Sequence, residues 1–170
     1  GEIVALSTRF LDNVIDANNY PIPQIDEMSK MTRRIGLGIM GWADILTRMG
    51  IAYDSEEALA FGERLMGFIQ ERTWKASQDL AEERGPFPAF YGSIYDVPNA
   101  RPMRNSAPTT IAPTGTISII AEASSGIEPL FALSYVRNVM DKTLLVEVNP
   151  WFKQAAEEGG RIGSVIEILV

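Results

Sequence analysis

Residues 112–118 read APTGTIS, inside the longer run IAPTGTISII. The stretch has no charged side chain, yet its residue types can hold an anion without one. Pro113 and Gly115 turn the chain, and Gly115 lets the backbone come close to a ligand. Thr114, Thr116 and Ser118 add hydroxyls. If TISIIAEASSG (116–126) is a helix closed by Gly126, the free N–H groups of its first turn point outward, an arrangement suited to phosphate oxygens. It is not a Walker A loop, because no Lys follows and the spacing differs. The plainer alternative is that Thr114 or Thr116 only caps a helix. Residue types alone leave both open.

Other stretches invite chemistry less strongly. GLGIMG (36–41) matches the G-x-G-x-x-G spacing of dinucleotide loops. Its context is wrong, because charged KMTRR precedes it where an apolar strand should be. If IGLGI is itself the strand, the glycines lie within it; the acids near Asp54 to Glu57 then sit at a helix start. Small residues for close packing are the better reading. Arg104 and Asn105 in MRNS (103–106) stand just before the strand that leads to APTGTIS. Arginine suits anions through its fork of donors, but an exposed loop arginine is the more common outcome. Glu128, between Ile127 and Pro129, reads as a surface turn acid. Trp42, Trp74 and Trp151 read as core, and AEER (81–84) as a solvated helix end.

The totals exclude whole classes of chemistry. With no Cys and no His among the 170 residues, this stretch has no thiolate nucleophile, disulfide or Cys/His zinc site. Acid–base work falls to Asp, Glu, Lys and Tyr. A net charge of −7 argues against nucleic acid as a partner. No apolar run is long enough to span a membrane, and no signal-peptide pattern opens the chain. The composition is that of a soluble globular protein. The opening helical pattern and the uncapped apolar close, SVIEILV, read as a fragment of a longer chain.

The elements that must position these residues follow from periodicity and caps. Residues 3–17 form a helix with Ile3, Phe10, Val14 and Ala17 on one face. NNYPIPQ breaks it. IGLGI (35–39) and PTTIA (108–112) suit short strands, and GWADILTRMG a short helix stopped by Gly50. The clearest element is a long helix from Glu56 to Arg84. Ser55 caps it, Ala58, Leu65, Ile69, Ala76 and Leu80 line one face, and Gly85 with Pro86 ends it. YGSIYDVPNARPM is a turn-rich loop. LFALSYVRNV is another strand, and a short helix starts at or after Pro150. Strands alternating with helices give an α/β layout with parallel pairing.

Taken in order, FLDNVIDANNYPIPQI, TRRIGLGIMGWADIL, ERGPFPAF, MRNS, TIAPTGTISIIAEASSGIEPLFALSYVRNV and VNPWF resemble the large catalytic chain of ribonucleotide reductases. The likeness is greatest to class II, the adenosylcobalamin-dependent branch. It covers about residues 3–155, and Thr110 to Val139 carries most of it. GGRIGSVIEILV is less familiar, so 151–170 is the less certain C-terminal segment of what is otherwise, over 1–170, a fragment of a single catalytic barrel domain. The resemblance implies part of the ten-stranded α/β barrel, from its second half-barrel and incomplete in this chain. Apolar faces and strand edges would then be left uncovered.

The resemblance also implies that the matching loop, Pro113, Thr114, Gly115, Thr116 and Ile117, holds the substrate's diphosphate through backbone N–H groups and threonine hydroxyls. It implies reduction of a ribonucleoside diphosphate or triphosphate by a radical route. Adenosylcobalamin is the radical source, a cysteine thiyl takes the 3′ hydrogen, and a cysteine pair supplies electrons. Those cysteines, with the asparagine and glutamate near the radical, belong to other parts of the family's chain, so no catalytic residue is assigned here and the chain alone is expected to be inactive. The implied partners are the ribonucleotide, allosteric nucleotides at a site outside this chain, a thioredoxin-type reductant and a second copy in a homodimer, in the cytoplasm. A class I chain with a separate radical-generating subunit is the nearest alternative. A nicotinamide-dependent (NAD) oxidoreductase using GLGIMG and a noncatalytic nucleotide-binding protein are the alternatives from other classes.

Overall fold

The structure, a computed structural model, describes residues 1–130, 132–138 and 144–158. In chain order it holds α1 (Glu2–Ala17), α2 (Pro23–Thr32), α3 (Trp42–Met49), α4 (Glu56–Arg84), α5 (Gly115–Ile120), β1 (Ser134–Asn138), β2 (Leu144–Val148) and α6 (Pro150–Glu158). The chain forms two compact units. One contains Gly1–Ile39 and Leu59–Ala112; the other contains Met40–Ala58 and the described residues from Pro113 onward.

In the first unit, α4 has the predicted bounds. Its inward face carries Ile69, Ala76 and Leu80, all buried, with Leu65 half-buried. Gly85 takes the left-handed conformation (φ 84°) and donates its N–H to Ala81, as a helix-ending glycine does. Beyond it, Phe87, Phe90 and Met103 form a small core, with the two rings edge to face at 5.6 Å. Trp74 is 40% exposed and is not the core residue the sequence suggested.

Helix α1 lies where periodicity puts it but faces the other way. Ile3, Phe10 and Val14 are exposed, at 79%, 64% and 42%, while Thr8, Asp12 and Ile15 are buried. The apolar stripe thus remains in solvent and a polar stripe is packed, for a reason given by the charges described below. Helix α2 is an element the sequence reading missed. Its two prolines read as a break, but Pro23 stands at the helix start, where its missing N–H costs nothing.

The segments 35–39 and 108–112, expected as strands, do not form strands; they meet in parallel through one isolated bridge, Leu37 to Thr109. Leu37 donates its N–H to the Pro108 carbonyl (2.9 Å) and accepts from Thr110 (3.0 Å). The glycines of GLGIMG permit this approach. A Cβ at Gly36 would lie 2.7 Å from the Thr110 methyl, and one at Gly38 would lie 2.5 Å from the Thr110 carbonyl oxygen. Close contact between the two segments explains both, in keeping with small residues for close packing.

In the second unit, α3 begins on Gly41 (φ 78°) and ends on Gly50 (φ 70°), both left-handed. Trp42, Ala43 and Leu46 are buried along it. Ser55 accepts from the Ala58 N–H through its hydroxyl (3.2 Å), the expected cap. Helix α5 stops at Ile120 and is not carried on to Gly126, because Glu122 (φ 53°) and Gly126 (φ 42°) both turn left-handed. The predicted strand at 130–139 appears as β1; Phe131 and Val139 lie outside the described residues. It pairs antiparallel with β2, an unforeseen strand, with Ser134 opposite Val148 and Asn138 opposite Leu144. Asn149 accepts from the Trp151 and Phe152 N–H groups (3.0 Å each) and so caps α6. The segment 159–170 lies outside the described residues.

Candidate functional site

Arg104 and Asn105 were candidates as a loop pair. The structure buries Asn105 and leaves Arg104 partly exposed. Asn105 is fully buried and joins the Ser77 hydroxyl (3.1 Å), the Asp12 carboxylate (2.9 Å) and the Arg33 carbonyl (3.2 Å). Asp12, also fully buried, receives three guanidiniums. Arg33 donates from Nε (3.0 Å) and Nη2 (2.9 Å), Arg84 from Nη1 (3.3 Å) and Arg104 from Nε (3.4 Å). Arg33 also forks onto Asp16 at 2.9 and 2.8 Å. That hydrogen bond is the main reason the Asp16 carboxyl sits below its ordinary range. Every buried side-chain polar atom among the described residues has a partner. The cluster ties α1, the end of α2, the end of α4 and residues 104–105 together. This is why the polar stripe of α1 faces inward.

The run Pro113 to Ile117 is arranged differently. Pro113, Gly115, Thr116 and Ile117 are exposed, and Thr114 is half-buried. The left-handed turn that starts α5 is made by Thr114 (φ 55°, ψ 26°) and not by Gly115. For a β-branched residue this conformation is an outlier, and such strain persists only where the surroundings fix it. Here the Thr114 hydroxyl accepts the Gly126 N–H at 2.7 Å. The first N–H to return to the turn is that of Ser118, donated to the Thr114 carbonyl (2.9 Å). The N–H groups of Gly115, Thr116 and Ile117 precede it and find no acceptor among the described residues. Nothing stands within 4 Å of the place a Gly115 Cβ would take, so the space over the loop is open.

Glu128 is exposed in a turn, donating its N–H to Ser125 (3.0 Å), in keeping with a surface acid. Trp151 carries the Arg48 guanidinium over its ring at 4.1 Å. AEER is more than a solvated end. Glu83 pairs with Arg9 at 2.5 Å and Glu82 with Arg101 at 2.6 Å, and the Arg9 bond draws the Glu83 carboxyl down to about 2.

Asp44 is a buried acid that the sequence reading did not single out. It holds the Ser124 N–H (2.6 Å) and the Asn149 amide (3.3 Å). No spacing rule marks it, because its partners lie 80 and 105 positions away.

The family model for the ribonucleotide reductase barrel domain matches residues 1–100 and 96–162. The chain belongs to the ribonucleotide reductase barrel-domain family. It is similar to the vitamin B12-dependent ribonucleoside-diphosphate reductase of Thermoplasma acidophilum, 57% identical over 94% of this chain and 21% of that protein. The enzyme of the same name from Mycobacterium tuberculosis is 48% identical over 94% of this chain and 22% of that protein. Among solved structures, the class Id ribonucleotide reductase alpha subunit of Actinobacillus ureae superposes with a TM-score of 0.69 at 27% identity. That match covers 93% of this chain and 28% of the other. The chain therefore spans about a fifth of the length of these curated relatives. The fold class read from the sequence, part of the α/β barrel of ribonucleotide reductases, is the one the matches carry. The dinucleotide alternative finds no support in the geometry, because Gly36 and Gly38 are used up in contact with Thr110 and Gly41 in starting α3.

No helix among the described residues is long and apolar enough to cross a membrane. Neither does any group of three or more Asp or Glu among them stand ready to hold a metal ion.

Proposed function

We propose that this chain is the part of a vitamin B12-dependent ribonucleoside-diphosphate reductase that holds the substrate's diphosphate. Pro113, Thr114, Gly115, Thr116 and Ile117 form the cradle. The observation that carries the reading is the turn at Thr114, which leaves three successive N–H groups without an acceptor among the described residues, beside a space that none of those residues fills. Oriented amides bind phosphate oxygens without a full positive charge, which suits a loop with no Lys or Arg. Fixing the diphosphate brings the ribose into register with the radical, and such positioning lowers the barrier by removing freedom before the reaction.

The B12-dependent class is favoured over class I because relatives with that name are 57% and 48% identical, against 29% for the ribonucleoside-diphosphate reductase subunit alpha of Chlamydia pneumoniae. Adenosylcobalamin supplies the radical in that class. The residues here do not fit a cobalt ligand, because the chain has no His, and none is assigned to it. The radical cysteine, the reducing cysteines and the allosteric nucleotide site belong to other parts of the whole enzyme. That enzyme works in the cytoplasm as a homodimer with a thioredoxin-type reductant.

The test is Gly115→Val in the full-length reductase. Its side chain meets nothing in the protein but stands over the cradle. The Michaelis constant for ribonucleoside diphosphate should rise about tenfold or more, while allosteric nucleotide and adenosylcobalamin binding stay as in the wild type. An unaltered Michaelis constant overturns the reading. Gly38→Val with undiminished nucleotide binding and no NADH binding in either protein would close the nicotinamide alternative.

A further inference from the structure

We infer that Asp44 is a positioning residue for the diphosphate loop, acting through the segment Ser124–Gly126 to set the backbone conformation of Thr114 and the direction of its hydroxyl. The inference rests on the diphosphate reading above and adds residues that lie outside the cradle.

The strained residue is Thr114, and its hydroxyl is held by the Gly126 N–H at 2.7 Å. Gly126 is itself left-handed, and its carbonyl accepts the Trp42 N–H (3.3 Å). Two residues earlier, Ser124 is gripped at three points. Its carbonyl accepts from Gly41 (2.8 Å), its N–H donates to the Asp44 carboxylate (2.6 Å), and its hydroxyl accepts weakly from the Asp44 N–H (3.4 Å). The second Asp44 oxygen takes the side-chain amide of Asn149 (3.3 Å), the residue that caps α6. The hydroxyls of Ser118 and Ser125 meet at 3.2 Å and close the segment against α5. Hydrogen bonds therefore run unbroken from the cap of α6, through Asp44, Ser124 and the backbone to Gly126, to the Thr114 hydroxyl.

This chain of contacts has a chemical result. A free threonine hydroxyl rotates and can present its lone pairs to an incoming phosphate. With its oxygen engaged by Gly126, the Thr114 hydroxyl keeps its proton for a partner outside, and accepting one hydrogen bond strengthens it as a donor of the next. Donors fixed before the ligand arrives cost nothing further to order on binding. Asp44 is the anchor because it is buried and its carboxylate joins the two ends of the arrangement.

The experiment is a double-mutant cycle in the full-length holoenzyme, with the Michaelis constant for ribonucleoside diphosphate and kcat measured separately. Asp44→Ala should raise the Michaelis constant about tenfold, the worth of one lost charge-assisted hydrogen bond, with kcat changed less than the Michaelis constant. Thr114→Gly, which keeps the left-handed turn and removes the hydroxyl, should do the same. The double variant should be no worse than the poorer single, because both changes disable one arrangement. Asp44→Asn retains an acceptor for Ser124 and should recover most of the binding. If Asp44→Ala does not fold, the cycle is run with Asp44→Asn, whose smaller effect must again vanish on the Thr114→Gly background. Multiplicative effects, or an Asp44 variant that lowers kcat alone, overturn the inference. If the Thr114 and Gly115 variants raise the Michaelis constant and the Asp44 variants do not, the inference fails while the diphosphate reading stands. If none of them raises it, both fall.

Discussion

Asp12 and Asp44 are both buried, one in each unit, and their surroundings are opposite in kind. Asp12 meets the guanidiniums of Arg33, Arg84 and Arg104. Asp44 meets a backbone N–H and a side-chain amide, with no ion pair among the described residues. The first arrangement closes on itself. Its opposite charges meet one another, and it fastens helices. The second passes orientation onward, from Asp44 to Ser124, to Gly126, to a hydroxyl at an open loop. Paired charges hold the scaffold in the first, and a lone carboxylate with neutral partners orders the loop in the second. On the proposed diphosphate reading, a loop built from amides also avoids the strong arginine–carboxylate pairing that this acidic chain, at −7, would otherwise invite.

The sharpest way to break the contrast is Asp12→Ala. It leaves the Arg33 guanidinium, only 4% exposed, with Asp16 as its one carboxylate partner among the described residues, beside the residue-12 carbonyl. The loss should be about 3–5 kcal/mol, measured by denaturant unfolding of the full-length protein. A change below about 1 kcal/mol would mean that the guanidiniums find water or other partners, and the cluster would not be a fastener. Gly38→Val comes next. Its Cβ collides with the Thr110 carbonyl, and the forced backbone shift should cost about 1–3 kcal/mol. Asn149→Ala tests the neutral side of the contrast. Loss of the α6 cap should cost about 1 kcal/mol and speed hydrogen exchange at the Trp151 and Phe152 amides, the two it now holds.

The smallest effect is that of pH on the exposed pair Arg9–Glu83. The Glu83 carboxyl is lowered from 4.5 to about 2, first by its bond to Arg9. A depressed carboxyl stabilises the fold fully above its ordinary value and loses that contribution as pH falls through the depressed one. Asp16, lowered by Arg33, has the same sign. Melting temperature should therefore fall between pH 4.5 and about 2, and Glu83→Gln should shallow that fall. Because Glu83 is half-exposed, high salt should erase most of the difference.

Legibility in the sequence tracked how local each cause was. Helix α4 is written in its own residues: Ser55 at one end, Gly85 and Pro86 at the other, and an apolar face between. Helix α3 likewise ends where Gly50 says it should. The bounds of α1 were local too, but its orientation was not. The partners that turn Asp12 inward are 21, 72 and 92 positions away, and no periodicity within 3–17 contains them. The same distance concealed the burial of Asn105 and the bond of Arg104 to Asp12. At the loop, the residue types pointed to Gly115 as the hinge, whereas the left-handed residue is Thr114. Glycine is the expected left-handed residue, and Thr114 takes that conformation because Gly126, twelve positions on, holds its hydroxyl. Helix α2 escaped notice because a proline that starts a helix and one that breaks it look alike without the structure.

The Asp12 cluster also has a thermal consequence. The hydration of ions weakens on heating, so the cost of keeping Asp12 and Arg33 out of water falls as temperature rises. Apolar burial gains no comparable advantage over the same range. The first unit thus holds a fastener that grows relatively stronger in heat, while the Thr114 loop depends on single hydrogen bonds, one of them to the lone Asp44 carboxylate, with no such network. On warming, the order of the loop should fade before the helices around Asp12 separate, and substrate affinity should decline below the temperature at which the fold itself gives way.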